Sequence, residues 1–409
     1  MNAREGALEA RLKPRGSSQG GVRQYNERVV LQAIRLHGAL PGAEIARLTQ
    51  LTAQTISLIT KRLTDDGLLL RGAPQRGKVG QPSVPLSLNP DGAYSIGIKV
   101  GRRSLDTLLV DFSGAKRARW TLDYRHADPA QVLGEIAQRL KDIRRKLGPE
   151  QRERVQGIGI AAPLSMGGWQ QLLGFPASVA DQWQRIDLRH EVARLTEVPV
   201  TLLKDTAAAC VAELVAGRGR SVKRFLYVVV DTFIGGGLVL DSQLRGGTHG
   251  NAGAIGSLPL WLAKTERDNP PSQLLGVGSL LGLEQLYGAA GLDVAAAGDE
   301  RALKAPWKTH TTHWLDHASS AIAQAVNCAA CLLDLDGVIL DGSFDRTLQG
   351  ALLAATDRSL ARYSWEGVAR PALLAGAIGP DARALGGALL PLYANFSPDR
   401  ELFLKAAAA

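Results

Sequence analysis

The stretch AEIARLTQLTAQTISLITKRLTDDGLL, residues 43–69, holds two helical patterns separated by the break Gln50-Leu51-Thr52 and closed by Gly67. In the second pattern Ile56, Ile59 and Leu63 fall on one narrow stripe at about 100° per residue, the spacing of a helix that packs one face on its neighbours. Thr52 stands before it as an N-cap, because a threonine oxygen accepts from the first free backbone donors. The spacing predicts a helix from about Ala53 to Asp66. Its opposite side has Gln54, Ser57, Leu58 and Lys61 at the centre and Thr55 and Arg62 on the flank, a donor-rich face suited to base edges and phosphates.

On the N-terminal side, PGAEIARLT predicts a helix from Pro41 to Thr49, with proline in the first turn, where its missing N–H costs nothing. Before it, an amphipathic run begins at Asn26 (Val29, Val30, Ala33, Ile34) and is stopped by Gly38. On the C-terminal side, the strand-like LLLR and VPLSL segments bracket a loop holding Arg76, Lys78 and Gly80, which reads as a wing. A winged helix-turn-helix over residues 21–90 is therefore expected. Such a unit can also be a generic packing module, and charge decides between the two. Residues 1–90 hold 13 Lys and Arg against 6 Asp and Glu, a net charge of +7, whereas the whole chain, with 48 against 39, carries +9. The basic excess sits in the head, as a double-stranded DNA partner requires.

With 409 residues, 45% of them hydrophobic, the chain is long enough for two or three cored domains. The first twenty residues, MNAREGALEARLKPRGSSQG, are charged and end in a Gly/Ser-rich stretch, with no apolar run of the kind that exports or anchors a protein. They read as a flexible basic arm that touches DNA, or as a solvated tail. Three cysteines, Cys210, Cys328 and Cys331, fit a reducing cytoplasm better than a disulfide framework. Cys328 and Cys331 lie in the apolar helix AIAQAVNCAACLLDL and are expected to pack in a core; one pair makes no four-ligand zinc site. His310, His313 and His317 lack a carboxylate or thiolate partner and read as surface residues.

From about Tyr94 the chain alternates apolar strands, glycine turns and helices: YSIGIKVGRRSLDTLLVDFSG, the helix Pro129 to Lys146, VQGIGIAAPL, PVTLLKDTAAACVAEL, FLYVVVDTFIGGGLVL and DGVILDGS. Strands ending in Gly or Asp indicate α/β layers with sites at the strand ends. From Arg23 onward, the head segments RQYNERVVLQAI and GQPSVPLSL and this layout resemble the ROK family, specifically its transcriptional-repressor branch. The resemblance implies a winged helix-turn-helix followed by an actin-like (ribonuclease H-like) two-lobed sugar-kinase fold. It places lobe one at about 91–205 plus the C-terminal helix, and lobe two at about 206–390. It also implies a homodimer or homotetramer on an inverted-repeat operator, and control by a sugar or a protein partner. Gln81 replaces the arginine of the family's usual Gly-Arg-Pro in the wing.

Within that resemblance the catalytic chemistry departs from the pattern. The family's first phosphate loop, Asp-x-Gly-Gly-Thr, is here Lys99-Val100-Gly101-Arg102-Arg103, so a cation replaces the acid that organises magnesium and bulky side chains occupy the phosphate approach. The second, Gly-Thr-Gly-Ile-Gly-Gly-Gly, is Asp231-Thr232-Phe233-Ile234-Gly235-Gly236-Gly237. Asp205 in LLKDTAAA matches the family's base, while the flanking asparagines become Lys204 and Ala207. The sugar-binding Glu and His become Ala254 and Ser257, the Pro-Asn pair becomes Pro176-Ala177, and the three zinc cysteines are missing. ATP and zinc are not expected, and no enzymatic activity is. Asp205 and Glu284 are the inherited polyol contacts, although Asp205 can instead pair with Lys204 or cap a helix and Glu284 can be a solvated helical residue. Lys99, Arg102 and Arg103 can hold a small anion such as a sugar phosphate, or be solvated. Three functions follow: an effector-responsive regulator, a regulator that is ligand-independent or controlled by a protein partner, and an active sugar kinase, which these replacements disfavour.

Overall fold

The computed structural model describes residues 19–74, 83–168, 170–260 and 272–398. The basic arm up to residue 18 and the wing-tip residues Arg76, Lys78, Gly80 and Gln81 lie outside them.

The head consists of α1 (Gln19–His37), β1 (Leu40–Pro41), α2 (Gly42–Thr49), α3 (Ala53–Asp65), β2 (Leu69–Arg71) and β3 (Pro85–Leu88). Ile56, Ile59 and Leu63 of α3 are buried against Val30, Leu31 and Ile34 of α1 and Ile45 of α2. Thr52 caps α3 through its side-chain oxygen, which accepts from the Thr55 amide at 3.2 Å. The strands form an antiparallel sheet in the order β1-β3-β2, with Leu40 opposite Leu86 and Leu69 opposite Leu88. Two sequence expectations are corrected. Helix α1 starts at Gln19 and not at Asn26, because its first turns are mostly solvent-exposed and show no buried periodicity to read. Pro41 precedes α2 and does not open it: its backbone is extended (ψ 152°) because it pairs with Pro85 in the sheet.

The body repeats one topology. The first sheet contains β4 (Tyr94–Val100), β5 (Ser104–Asp111), β6 (Lys116–Asp123), β7 (Val155–Ala162) and β8 (Val200–Lys204), in the order β6-β5-β4-β7-β8. The second contains β9 (Phe225–Val230), β10 (Gly235–Leu240), β11 (Gln243–Arg245), β12 (Gly337–Gly342) and β13 (Ala372–Ala375), in the order β11-β10-β9-β12-β13. In each, three antiparallel strands come first and two parallel strands follow. The helices of eight residues or more are α4 (Pro129–Lys146), α5 (Ala177–Gln184), α6 (Asp205–Ala216), α7 (Leu280–Ala289), α8 (Lys308–Leu333), α9 (Arg346–Leu360) and α10 (Ala382–Phe396).

Helices α6 and α10 pack on each other, and α10 also lies on β4 and β7. Small residues permit this approach. A Cβ at Gly97 of β4 would collide with the Ala384 carbonyl, and one at Gly386 with the Ala208 carbonyl, so glycine is required at both places.

The head is fastened to the body. Arg35, at the end of α1, donates to the Phe112 carbonyl (3.0 Å) and lies 5.1 Å from the Phe112 ring centre. Arg220, just beyond α6, donates to the Arg35 and Leu36 carbonyls (3.1 and 2.6 Å). Burial, and then the neighbouring Arg220, push the Arg35 guanidinium down to about 10.

On α8 the buried stripe runs through Ala318, Ala321, Ile322, Ala325, Val326 and Ala329. Cys328 and Cys331 lie off that stripe and are exposed, which corrects their expected place in the core. Cys210 is buried.

Candidate functional site

The two body sheets face each other across a cleft of about 430 Å³. Equivalent hairpins meet there: the β4–β5 turn brings Lys99, Arg102 and Arg103, and the β9–β10 turn brings Asp231 to Ile234. The end of β8 and the start of α6 add Lys204, Asp205 and Thr206; α7 adds Glu284 and α10 adds Arg383. Ala254 and Ser257 also line the cleft, whereas Pro176 and Ala177 stand at the start of α5, away from its lining.

Most of the charges are already matched inside the protein. Lys99 is drawn back into its own hairpin, donating to Ser104 Oγ (2.6 Å) and Asp106 Oδ2 (3.0 Å). Burial pushes the Asp106 carboxyl up, but Lys99 and the hydrogen bonds around it win, leaving it below the usual aspartate value. Arg103 forms a two-pronged bond with Glu284, both contacts at 2.8 Å, tying lobe to lobe and raising its own affinity for the proton. Glu284 is thus neither free nor merely solvated.

Arg383 is the central residue that sequence reasoning missed. Its side chain is only 7% exposed, its Nη1 is bonded to Asp231, and its Nε lies 3.4 Å from Asp205 Oδ2 without hydrogen-bond geometry. The other Asp205 oxygen accepts from the Thr206 amide at 2.9 Å, so this acid both caps its helix and faces an arginine, and it has no bond with Lys204. Burial raises the Asp231 carboxyl, and the charges of Arg383 and Lys99 overcome it and hold the group low.

Two cations of the cleft, Arg102 and Lys204, form no ion pair among the described residues. Arg102 donates to the Gly168 carbonyl (3.1 Å) and lies 4.9 Å from the Phe233 ring centre, a cation–π contact across the cleft. The side chain of half-buried Lys204 makes no hydrogen bond or ion pair among the described residues. Burial pushes both groups below their usual values.

A second constellation lies under the loop 376–379. Glu213 of α6 accepts from the amides of Ala377 (2.6 Å), Ile378 (2.9 Å) and Arg218 (2.8 Å). Asp341 accepts from the Gly379 amide (2.7 Å), and Arg346 donates to the Gly376 and Ala377 carbonyls (2.8 and 2.9 Å). The polar groups of this loop are bound to the protein itself. Burial pushes the Glu213 carboxyl above its usual value despite the amide donors.

In the head, Gln54, Ser57, Leu58, Lys61 and Arg62 are exposed on one side of α3, with Thr55 partly covered. Arg62 also reaches Glu27 of α1 (3.6 Å) and Asp66 (3.8 Å), whereas Lys61 has no partner among the described residues. His313 and His317 lie on α8 with ring centres 4.5 Å apart and planes inclined by 52°, and among the described residues no group of three or more His, Cys, Asp or Glu could hold a metal ion. No helix of the described residues is long and apolar enough to cross a membrane.

A winged helix-turn-helix joined to two repeated sheets around a cleft defines a regulator built on a sugar-kinase-like body. The chain belongs to the ROK family, whose model matches residues 95–392. It is 25% identical to the xylose repressor of Bacillus subtilis over 247 residues, a match covering 60% of this chain and 62% of that protein. The crystal structure of a ROK family transcriptional regulator, a homologue of E. coli MLC, superposes with a TM-score of 0.65 at 21% identity, covering 92% of this chain and 98% of that one. The ROK hexokinase of Thermus thermophilus gives a TM-score of 0.54 at 22% identity, covering 72% of this chain and 97% of that one. The kinase-like fold and the regulator reading are thus both supported.

Proposed function

We propose that this chain is a cytoplasmic DNA-binding transcriptional regulator, a repressor by its family relations, whose body no longer transfers phosphate and serves effector sensing and assembly. Residues 21–90 form the DNA-binding head and residues 91–409 the sensing body. A homodimer or homotetramer places two copies of α3 in successive major grooves of an inverted repeat. In that reading Gln54, Thr55 and Ser57 face bases, while Thr52, Lys61 and Arg62, with the wing residues Arg76 and Lys78, face phosphates.

The observation that carries the loss of catalysis is Arg383 wedged between Asp205 and Asp231. A general base needs an oxygen free to take a proton from a substrate hydroxyl, and here one Asp205 oxygen accepts from the Thr206 amide while the other faces the Arg383 cation, which disfavours its protonation. Lys99 stands where a magnesium-organising acid is needed, and the amides of Ala377, Ile378 and Gly379 are taken by carboxylates. The 25% identity over 247 residues to the xylose repressor of Bacillus subtilis supports a small polyol-derived effector in the cleft, with Asp205 and Glu284 exchanging their arginine partners for it. The pairing of Glu284 with Arg103 and of Asp205 with Arg383 supports the second reading, control independent of a small molecule.

The test is fluorescence anisotropy of the purified protein on the DNA upstream of its own coding sequence, with and without a panel of free and phosphorylated sugars. Loss of binding with one compound establishes the effector-responsive reading. Tight binding unchanged across the panel favours the second, and no binding to that DNA refutes the operator assignment.

A further inference from the structure

Beside the cleft lies a smaller chamber of about 80 Å³ that shares Arg102 and Arg103 with it and adds Arg125 and His126. Its remaining wall is apolar, with Met166, Phe175 and Trp183 among the lining residues. Every charged or titratable group on this wall is a base, and no carboxylate lines it among the described residues. At about 30 Å³ per water, its 80 Å³ holds two or three water-sized groups, which suits a single carboxylate or phosphate and not a whole sugar ring.

We propose that this chamber is an anion subsite, which takes the carboxylate or phosphate of a small molecule whose uncharged part occupies the adjoining cleft. The inference rests on the reading of the cleft as an effector site and names the chemistry that reading leaves open. Three observations support it. Arg102 is half-buried and, among the described residues, contacts a carbonyl and a ring but forms no direct ion pair, with Asp205 and Asp231 acting on it only at longer range. Burial accordingly weakens its hold on the proton. Arg125 and His126 make no hydrogen bond or ion pair among the described residues, leaving their donors available. The acids of the neighbouring cleft already have arginine partners, Glu284 with Arg103 and Asp205 and Asp231 with Arg383. The unmatched donors of Arg102, Arg125 and His126 on the chamber wall therefore select a negative group, and a planar guanidinium binds such a group in two-pronged fashion.

The subsite is tested by isothermal titration calorimetry of the full chain with glucose 6-phosphate, gluconate, inorganic phosphate and glucose. The same probes are titrated against the Arg125→Gln and Arg102→Met variants. Arg125 is exposed and makes no internal bond, so its replacement leaves the fold intact; Arg102→Met reports the buried half of the site. The expected result is that a charged probe binds, that glucose binds at least tenfold more weakly, and that each variant weakens the charged probe about tenfold, with glucose unchanged in Arg125→Gln, which lies outside the cleft lining. Whether phosphate or carboxylate is preferred is read from the first two probes. Absence of binding by all three anions, or affinity unaltered in Arg125→Gln, overturns the proposal. Operator binding measured with the same probes separates the two readings. An anion that binds through Arg125 without altering DNA affinity supports the subsite and refutes the effector role of the cleft.

Discussion

Replacing Arg383 by methionine keeps an unbranched apolar stem and removes the guanidinium with its charge and hydrogen-bond donors. The guanidinium is 7% exposed and faces Asp205 and Asp231, whose side chains are 20% and 25% exposed. At an effective dielectric of about 20, one such pair at about 4 Å is worth roughly 4 kcal/mol before desolvation is subtracted. Breaking a buried pair from one side, which strands the partner, costs about 3–5 kcal/mol, and here two carboxylates are left facing each other. Arg383→Met is therefore expected to lose about 3–5 kcal/mol. At roughly 2–3 °C per kcal/mol for a domain of this size, calorimetric unfolding at pH 7 should show a Tm lowered by about 6–15 °C. Adding Asp231→Asn removes one of the stranded charges, so the double variant should recover at least about 1 kcal/mol relative to additivity. A loss below about 1 kcal/mol, or strictly additive single effects, would refute the assignment of Arg383 as the central counter-ion of the cleft.

Three further outcomes are expected. Thr52→Ala should cost about 1 kcal/mol of head stability by urea unfolding, since it removes the cap of α3, and Thr52→Ser should retain most of it; equal losses in the two variants would contradict the cap. Lys61→Ala should flatten the dependence of DNA affinity on salt by about 0.9 in log–log slope, with a smaller change for Arg62→Ala, whose charge is partly neutralised by Glu27 and Asp66; the reverse order would reassign the phosphate contact. The carboxyls of Asp231 and Asp106 are raised by burial, but Arg383 and Lys99 respectively bring them below the ordinary 3.8. A depressed folded value gives stability that is present above 3.8 and lost as pH falls through the folded value. The Tm of the protein should thus drop steeply below pH 3.8, and more gently in Asp231→Asn; an unchanged slope in that variant would remove Asp231 from the linkage.

The head was legible where one local rule governed each residue. The period of Ile56, Ile59 and Leu63 and the capping chemistry of Thr52 are local properties, and both reappear in the structure. The start of α1 was not legible, because a helix whose first turns face solvent leaves no apolar trace. Pro41 was misread because its conformation is set by Pro85, 44 positions away in the sheet. The cleft shows the same limit more strongly. The replacements at Lys99, Arg102, Arg103 and Asp231 stand out in the sequence, but their partners do not: Glu284 lies 181 positions from Arg103, and Arg383 lies 152 from Asp231. The one available hint of Arg383 was a lone cation in the Ala, Leu and Gly run that opens α10. The two cysteines of α8 were misplaced because an alanine-rich helix is apolar on nearly every side, so composition alone does not say which side is covered.

Helix α6 has its first residue, Asp205, in the cleft, and just past its last turn Arg220 holds the end of α1. Twelve residues at about 1.5 Å each make it a lever of roughly 18 Å. A tilt of about 5° about the cleft end carries the far end by about 1.5 Å, enough to stretch the 2.6 Å bond from Arg220 to Leu36 past hydrogen-bond range. The glycine seam with α10 makes the two helices move together, so a displacement of either Asp205 or Arg383 is conveyed along the same rod. If the cleft controls the head as proposed, no flexible linker is needed, because the grip of one arginine on the last carbonyls of α1 already joins the far end of this rod to the head.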